Sequence, residues 1–235
     1  MENLSTLFIF AVVAILGYVC GAVPFGYLYV KKVKGIDLTQ HGSGRTGGTN
    51  SLRAAGLKVG VVTAISDVVK GYLSVFLTRL IFAEHLDAEV LPWVLITAGV
   101  FAVIGHNWSV FIAFRGGAGT GPNVGWAGAI WWPMMPIAAL VMSVMMVGVG
   151  MASVASLTMA AIIPISFIAL YFAGVPGFDH TVAYMVGGIL SFCVVTWSLR
   201  PNIKRLIAGN ERVVGPRAKK LEKAKAAAAK ERVPE

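Results

Sequence analysis

A glycine-rich, basic segment between two long apolar stretches contains the side chains best suited to phosphate chemistry. It reads Gly-Ser-Gly-Arg-Thr-Gly-Gly-Thr-Asn-Ser-Leu-Arg over residues 42–53. Glycines let backbone N–H groups converge on one point, and the two arginines present planar forks to phosphate oxygens. Thr49 or Asn50 is placed to cap a short helix that carries Arg53 in its first turn and ends at Gly56. The pattern indicates an anion site at a helix start, and the alternative is a solvated loop whose arginines bind lipid head groups.

The surroundings of this segment exclude two nucleotide-binding interpretations. Residues 42–47 match the pattern G-x-G-x-x-G, but no buried strand precedes them and no alternation of strands and helices follows. A dinucleotide-binding fold requires both of these features. A Walker A loop is excluded as well, because no Gly-Lys-Ser/Thr closes the segment.

A second polar cluster follows an apolar stretch near the middle of the chain. It contains His106, then Arg115 and the glycine-rich residues 116–119. Taken alone, a histidine in this setting is more often a satisfied buried residue than a catalyst, and such glycines are typical of a tight re-entrant turn. Ser153 and Ser156 are expected on the same membrane side as both glycine clusters. Because small hydroxyl residues in membrane helices usually serve packing, only this shared side makes the serines candidates for a site.

Two opposite charges, Asp67 and Lys70, lie inside an otherwise apolar stretch. They are three residues apart and therefore share one face of a helix. Either charge costs about 2.5 to 3.5 kcal/mol at the centre of a membrane helix, so each needs a polar partner. A structural ion pair and a contact with substrate remain open as two interpretations.

The composition is that of an integral membrane protein. Hydrophobic residues make up 57% of the chain, charged residues only 13%, and the mean hydropathy is +0.75. Residues 4–30 and 116–178 contain no Asp, Glu, Lys or Arg. These continuous runs favour an all-α bundle over a β-barrel, whose strands alternate apolar and polar residues. Cys20 and Cys193 lie in apolar stretches and suggest neither a disulfide nor a metal site.

Charge asymmetry predicts seven transmembrane helices with the amino terminus outside. The net charge of +9 is concentrated between residues 31 and 58 and after residue 199, and both regions should face the cytoplasm. The first apolar stretch is read as a retained span. Further spans are predicted at residues 59–80, 91–114 and 181–199, with three more between 116 and 173. Residues 1–200 then form a membrane domain, and residues 201–235 form a basic, helical cytoplasmic tail.

Taken in order, these clusters resemble the bacterial membrane glycerol-3-phosphate acyltransferases that use acyl-phosphate, known as the PlsY family. The resemblance extends from about residue 17 to residue 211. The matching positions of the family motifs are Gly42, Ser43, Gly44, Gly47, Thr49, Asn50, Arg53, Gly56, Asp67, Lys70, Gly71, Gly105, His106, Phe114, Arg115, Gly116, Gly117, Gly119, Asn202, Ile203, Arg205, Leu206, Gly209 and Glu211.

The resemblance implies transfer of an acyl group from acyl-phosphate to the sn-1 hydroxyl of glycerol 3-phosphate. The products are lysophosphatidic acid and inorganic phosphate, in phospholipid biosynthesis at the bacterial inner membrane. It implies no metal, no cofactor and no nucleic acid, so the partners are the two substrates and membrane lipids. The catalytic candidates are Ser43, Arg53, His106, Arg115, Ser153 and Ser156. The substrate-binding candidates are Gly42, Gly44, Arg45, Gly47, Thr49, Asn50, Asp67, Lys70, Gly116, Gly117, Gly119, Asn202, Arg205 and Glu211.

Three departures from the family pattern fall in the proposed site. The family lysine between the glycines is Ala118 here, the family histidine three residues before Asn202 is Leu199, and Arg45 replaces the usual asparagine. Arg45 is a candidate to return one positive charge to the phosphate pocket. The alternative is a catalytically silent relative that serves as a structural or lipid-binding subunit of a membrane complex. A transporter is a weaker third interpretation, because no inverted repeat is evident.

Overall fold

The computed structural model of the protein describes residues 2–179, 181–215, 217–218 and 224. Within these residues the secondary structure is helical, apart from one isolated bridge between Ser109 and Arg115. The all-α prediction is therefore confirmed. Of the predicted helical tail, residues 201–235, positions 216, 219–223 and 225–235 lie outside the described residues.

Ten α-helices and two short 3₁₀ turns make up the described chain. The α-helices are α1 (Glu2–Ala22), α2 (Phe25–Lys34), α3 (Gly48–Ala55), α4 (Leu57–Phe82), α5 (Leu91–Asn107), α6 (Thr120–Ile130), α7 (Met134–Gly148), α8 (Ala152–Phe172), α9 (Ala183–Ser198) and α10 (Arg200–Ile207). The 3₁₀ turns are Leu38–Gln40 and Val110–Ile112.

Several of these helices are apolar and long enough to cross a bilayer. By length and composition the described chain has three such spans, Thr6–Lys34, Leu57–Phe82 and Ala152–Phe172. The pair α9 and α10 makes a fourth if it is taken as one span, bent by 66°. Helices α5 and α7 are apolar but shorter. The uncharged middle of the sequence, where three crossings are predicted, contains α6, α7 and α8.

Two predicted spans differ from the helices observed. The span predicted at residues 91–114 ends as a helix at Asn107, because the chain then turns through a 3₁₀ segment to Ala113 and Phe114, both with positive φ. The first apolar stretch is interrupted at Pro24, which has no N–H to continue the helical hydrogen bonds.

Side chains from other parts of the fold donate hydrogen bonds to the backbone carbonyls at the break between α1 and α2. Ser109 Oγ donates to the carbonyl of Ala22 at 2.6 Å, and Lys70 Nζ donates to the carbonyl of Val23 at 2.9 Å. Both groups satisfy backbone acceptors at a helix end inside an apolar region, where an unpaired carbonyl is costly. The break therefore fixes α2, and with it the glycine-rich segment that follows, against α4 and α5.

Small residues bring α1 and α5 into close contact. A methyl group at Gly17 would overlap the backbone of Ala98, and one at Gly21 would overlap the backbone of Ala102. Such small-residue seams are a common way to pack helices in membranes, since they let backbones approach closely. The seam holds the end of α5, and therefore His106, near the break after α1.

The main apolar core lies between α5, α6, α8 and α9 and is centred on the fully buried Trp126. The Trp126 ring stacks at a tilt on Phe167, with centroids 5.7 Å apart. Leu199 belongs to this core and is 1% exposed, and Ala118 packs against it. The two positions at which the sequence lacks the family lysine and histidine are thus apolar contacts of the core.

Candidate active site

The glycine-rich segment is organised from within by Asn50. Its Oδ1 accepts from the backbone N–H of Ser43 at 3.1 Å, while its Nδ2 donates to the carbonyls of His41 and Arg45 at 2.9 and 2.8 Å. Asn50 is 2% exposed. Both ends of its amide are therefore engaged by the loop itself, and the side chain shapes the loop rather than facing outward.

The short helix predicted in this segment forms, but its start differs from the prediction. Helix α3 ends at Gly56 as predicted, where the residue adopts φ 88°. Its N-cap is Gly47 and no side chain caps it, so Thr49 and Asn50 lie inside the helix. Arg53 consequently lies in the last turn and not in the first. The reason is that Asn50 Oδ1, the atom that could accept from an N–H of the helix, accepts from the N–H of Ser43 instead.

The two glycine clusters, far apart in the sequence, meet in the structure. The N–H of Thr46 donates to the carbonyl of Gly116 at 3.2 Å, and Arg45 Nη1 donates to the carbonyl of Gly117 at 2.7 Å. The convergence expected from their shared membrane side is thus present as direct hydrogen bonds.

Arg45 also reaches the start of α10. Its Nη1 donates to Ser198 Oγ at 3.0 Å, and its Nη2 donates to the Ser198 carbonyl at 2.6 Å and to Asn202 Oδ1 at 3.2 Å. Burial lowers the pKa of this guanidinium, and the nearby Arg205 lowers it further while Glu211 opposes the change. An arginine remains charged under these conditions. A buried positive charge therefore links three segments at the centre of the site.

The turn at residues 116–119 lies directly on His106. The N–H of Gly117 donates to the His106 carbonyl at 3.0 Å, and a methyl group at Gly117 would overlap His106 Nε2. His106 is 4% exposed, and its Nδ1 lies 3.5 Å from Asp67 Oδ1. Because the Gly117 N–H already has an acceptor, it is not free to stabilise a charge that develops on a substrate.

Asp67 and Lys70 form a buried ion pair beneath this turn. Lys70 Nζ lies 2.9 Å from Asp67 Oδ1, with side-chain exposures of 4% and 5%. Lys70 also donates to the Val23 carbonyl, and Asp67 contacts His106. These contacts account for both charges within the protein and support the structural interpretation of the pair.

The carboxylate of Glu211 binds three of the remaining candidates, and one of them, Asn202, also binds Arg45. Glu211 accepts from Ser153 Oγ at 2.8 Å, from Asn202 Nδ2 at 2.9 Å and from Arg205 Nε at 2.9 Å. Burial raises the pKa of this carboxyl, but the hydrogen bonds from Asn202, Ser153 and Arg205 outweigh it and hold the pKa below its ordinary value. Ser156 lies one turn further along α8, where its Oγ accepts from Thr120 at 2.7 Å.

Arg53 lies within electrostatic range of the cluster around Glu211. Partial burial lowers the pKa of its guanidinium, Arg212 lowers it further and Glu211 opposes the change, so all three groups lie within electrostatic range. Arg212 in turn donates to the Gly42 carbonyl at 2.6 Å and joins the chain after α10 to the glycine-rich segment.

Arg115 points toward a different part of the surface. Its Nη1 donates to Thr39 Oγ1 at 3.3 Å, and both residues line an open cavity of about 410 Å³. An apolar cavity of about 310 Å³ adjoins it, because the two share Tyr27, Phe111 and Ile112 as lining residues. The result is a groove with an apolar end and a polar end that carries one guanidinium, Arg115, and one carboxylate, Asp37, which suits an amphiphile with a polar head group.

The sequence analysis missed several residues that the structure brings into the site, among them four that bond to the two loops or to Arg45. Thr39, Thr46, Ser198 and Arg212 each bond to a predicted candidate. Arg212 directly follows Glu211, the last matched motif residue, and its positive charge could have indicated a place in the site. The other three are ordinary hydroxyl residues with no distinguishing pattern.

We expect acid to weaken the Glu211 cluster only when the pH falls below the ordinary pKa of a glutamate. Since the folded pKa of Glu211 lies below its unfolded value near 4.5, its contribution to the free energy of unfolding is complete above that value. The contribution is lost as the pH falls through the folded pKa. Thermal unfolding midpoints of wild type and Glu211→Gln should therefore converge as the pH falls from 4.5 through the folded pKa. An equal gap between them at every pH would contradict the prediction.

Comparison with known proteins gives one consistent result. Residues 11–209 match the family model described as glycerol-3-phosphate acyltransferase. A glycerol-3-phosphate acyltransferase of Halalkalibacterium halodurans is 32% identical over 205 residues, which cover 84% of this chain and 92% of the relative. One from Gloeobacter violaceus is 36% identical over 198 residues, which cover 84% of this chain and 91% of the relative.

Solved structures agree with the sequence relatives. The chain is similar to the crystal structure of PlsY (YgiH), an integral membrane glycerol 3-phosphate acyltransferase, in its glycerol 3-phosphate form. The TM-score is 0.72 at 31% identity, over 90% of this chain and 96% of that chain. The lysophosphatidic acid form gives a TM-score of 0.70 at 30% identity, with the same coverage.

Proposed function

Because the chain belongs to the glycerol-3-phosphate acyltransferase family, we propose that it transfers an acyl group to the sn-1 hydroxyl of glycerol 3-phosphate. The product is lysophosphatidic acid, and acyl-phosphate is the donor. The single observation that carries the proposal is the meeting of both glycine clusters with the segment after α9 around Arg45.

The charge balance of the site suits a phosphate ligand. Arg45, Arg53, Arg205 and Arg212 contribute four guanidinium groups, and the carboxylate of Glu211 interacts with the first three of them. The excess of positive charge favours an anion, and guanidinium forks match phosphate oxygens in geometry. We assign glycerol 3-phosphate to this region, with Arg53 and the loop of residues 42–50 as its main contacts.

The reaction needs no covalent enzyme intermediate. The glycerol hydroxyl oxygen attacks the acyl carbonyl carbon, the bond from that carbon to the donor phosphate breaks, and the hydroxyl proton leaves with the phosphate. Ser153 donates to Glu211 and Ser156 accepts from Thr120, and none of the hydrogen bonds of the described residues joins a site serine to a histidine. Direct transfer by positioned substrates is therefore favoured over an acyl-serine route.

The amphipathic groove at Arg115 suits the acyl donor. Its apolar end lies between Leu28 and Phe111, both exposed on the outside of the bundle, and Arg115 at its polar end directly precedes Gly116. A chain lying in this groove would bring an anionic head group toward the glycine turn. Arg115 is then the group that neutralises the charge of the donor.

The protein is an integral membrane protein, and we propose seven crossings in the bacterial inner membrane. Helices α1, α4, α5, α6, α7, α8 and α9 are the seven candidates. The amino terminus is outside and the site is cytoplasmic, since the basic residues near the site should remain inside. Residues 1–200 form the membrane domain, and the basic segment of residues 201–235 follows it on the side of anionic lipid head groups.

A turnover assay tests the proposal. Purified protein in lipid nanodiscs is incubated with a long-chain acyl-phosphate and labelled glycerol 3-phosphate, and formation of lysophosphatidic acid is followed. We expect product that depends on both substrates, and acyl-coenzyme A in place of acyl-phosphate is the control donor. Absence of product with intact binding of glycerol 3-phosphate would instead support the catalytically silent relative.

Replacing Arg53 with alanine is expected to weaken binding of glycerol 3-phosphate about 10- to 100-fold, the usual effect of losing hydrogen bonds to a charged group. Calorimetric titration of glycerol 3-phosphate measures the change. Arg200→Ala is the matched control, because the exposed Arg200 stacks on Trp197 at the membrane surface, outside the site. Equal affinity in the two variants would remove Arg53 from the pocket.

A further inference from the structure

Arg45 is held in place before any ligand arrives. Its backbone carbonyl accepts from the buried Asn50 amide, and its guanidinium donates to Gly117, Ser198 and Asn202. A planar guanidinium can serve several acceptors in fixed directions, whereas a lysine ammonium on a flexible stem holds no such geometry. The contacts of Arg45 therefore set the relative positions of the two loops and α10.

Arg45 binds residues next to positions 118 and 199, at which the family pattern has a lysine and a histidine that this chain lacks. Gly117 directly precedes Ala118, and Ser198 directly precedes Leu199. Ala118 and Leu199 both pack in the main apolar core, so neither presents a polar group to the site. Arg45 is itself the third departure from the family pattern, because it stands where asparagine is usual.

We propose that Arg45 replaces both missing groups from a different segment, as a positioning residue for phosphate. The proposal rests on the function proposed above. Arg45 fixes the turn of residues 116–119 to α10 and supplies the positive charge that a lysine at position 118 would bring. Because two cations at one place would repel each other, the arginine and the lysine are alternatives and not additions. The three departures from the family pattern, at positions 45, 118 and 199, then depend on one another.

Substitutions that exchange the side chains at positions 45, 118 and 199 test whether these positions depend on one another. Arg45→Asn is expected to lower kcat/KM for glycerol 3-phosphate about 100-fold, and Arg45→Lys should restore only part of it, since the fork is lost. Adding A118K and L199H to Arg45→Asn should recover at least about tenfold of the loss. Arg200→Asn is the control for removal of a surface arginine and should match wild type.

A purely structural role predicts a different pattern. In that case Arg45→Asn lowers the melting temperature, and adding the lysine and the histidine gives no recovery of kcat/KM. Because Leu199 is fully buried in the core, the triple variant is accompanied by R45N/A118K, which changes only the partly buried position 118 at the edge of the core. Wild-type kcat/KM in Arg45→Asn, or no recovery in folded R45N/A118K, overturns the proposal.

The same variants separate this inference from the proposed reaction. If wild type makes no lysophosphatidic acid, the acyltransferase proposal fails, and calorimetric affinity for glycerol 3-phosphate becomes the readout. Loss of affinity in Arg45→Asn with recovery in R45N/A118K would still support the role of Arg45. Unchanged affinity in both would overturn it.

Discussion

Replacing Gly117 with alanine is expected to lower kcat at least about 100-fold, because the added methyl group would overlap His106 Nε2. His106 cannot move aside easily, since it is 4% exposed and contacts Asp67. The turn must shift instead, and it carries the carbonyls that bind Thr46 and Arg45. A displacement of about 1 Å in such a positioning element is enough for a loss of this size.

Two measurements separate this effect from general damage to the fold. Steady-state kcat and the thermal unfolding midpoint are compared with those of Gly148→Ala, in which the added methyl group lies in open space at the end of α7. We expect wild-type turnover in the control. Gly117→Ala should lower the free energy of unfolding by only about 1 to 3 kcal/mol, as is usual for an overpacked site. Wild-type kcat in Gly117→Ala would show that the turn tolerates movement.

Replacing Lys70 with methionine is expected to be the most destabilising single change, with a loss of about 3 to 5 kcal/mol in the free energy of unfolding. The substitution leaves the carboxylate of Asp67 buried without its cation and removes the donor to the Val23 carbonyl. Both groups lie in an apolar region where water does not replace the lost partner.

Lys58→Met provides a matched control on the same helix, because Lys58 is exposed near the start of α4. Unfolding midpoints in detergent should fall strongly for Lys70→Met and little for Lys58→Met. The double change Lys70→Met with Asp67→Asn should recover part of the loss, since it removes the unpaired charge. Similar midpoints for the two single variants would contradict the structural account of the pair.

The sequence is sufficient to predict the parts of the fold that depend on local pattern. Continuous apolar runs predict α1, α4 and α8, because backbone groups in lipid must bond within their own segment. Gly56 predicts the end of α3, since a residue with positive φ terminates a helix there. The spacing of Asp67 and Lys70 predicts that they share a helix face. Each of these features requires only neighbouring residues.

The contacts that define the site could not be predicted in this way. Arg45 reaches Ser198 across 153 positions of sequence, and no local rule specifies that pairing. The direction of Arg115 toward Thr39 depends on the positive φ of Ala113 and Phe114, which the residue types do not favour. The loss of the cap at Asn50 has a similar cause, because the N–H of Ser43, seven residues earlier, occupies its Oδ1.

The position of Glu211 so late in the chain has a consequence for biosynthesis. This carboxylate binds Ser153 and Arg205, and the next residue, Arg212, holds Gly42 near the opposite end of the sequence. A nascent polypeptide in which only helices α1 to α9 have been synthesised therefore lacks one side of the proposed anion site. The ribosome must synthesise the chain beyond the whole membrane domain, as far as Arg212, before the proposed site is complete.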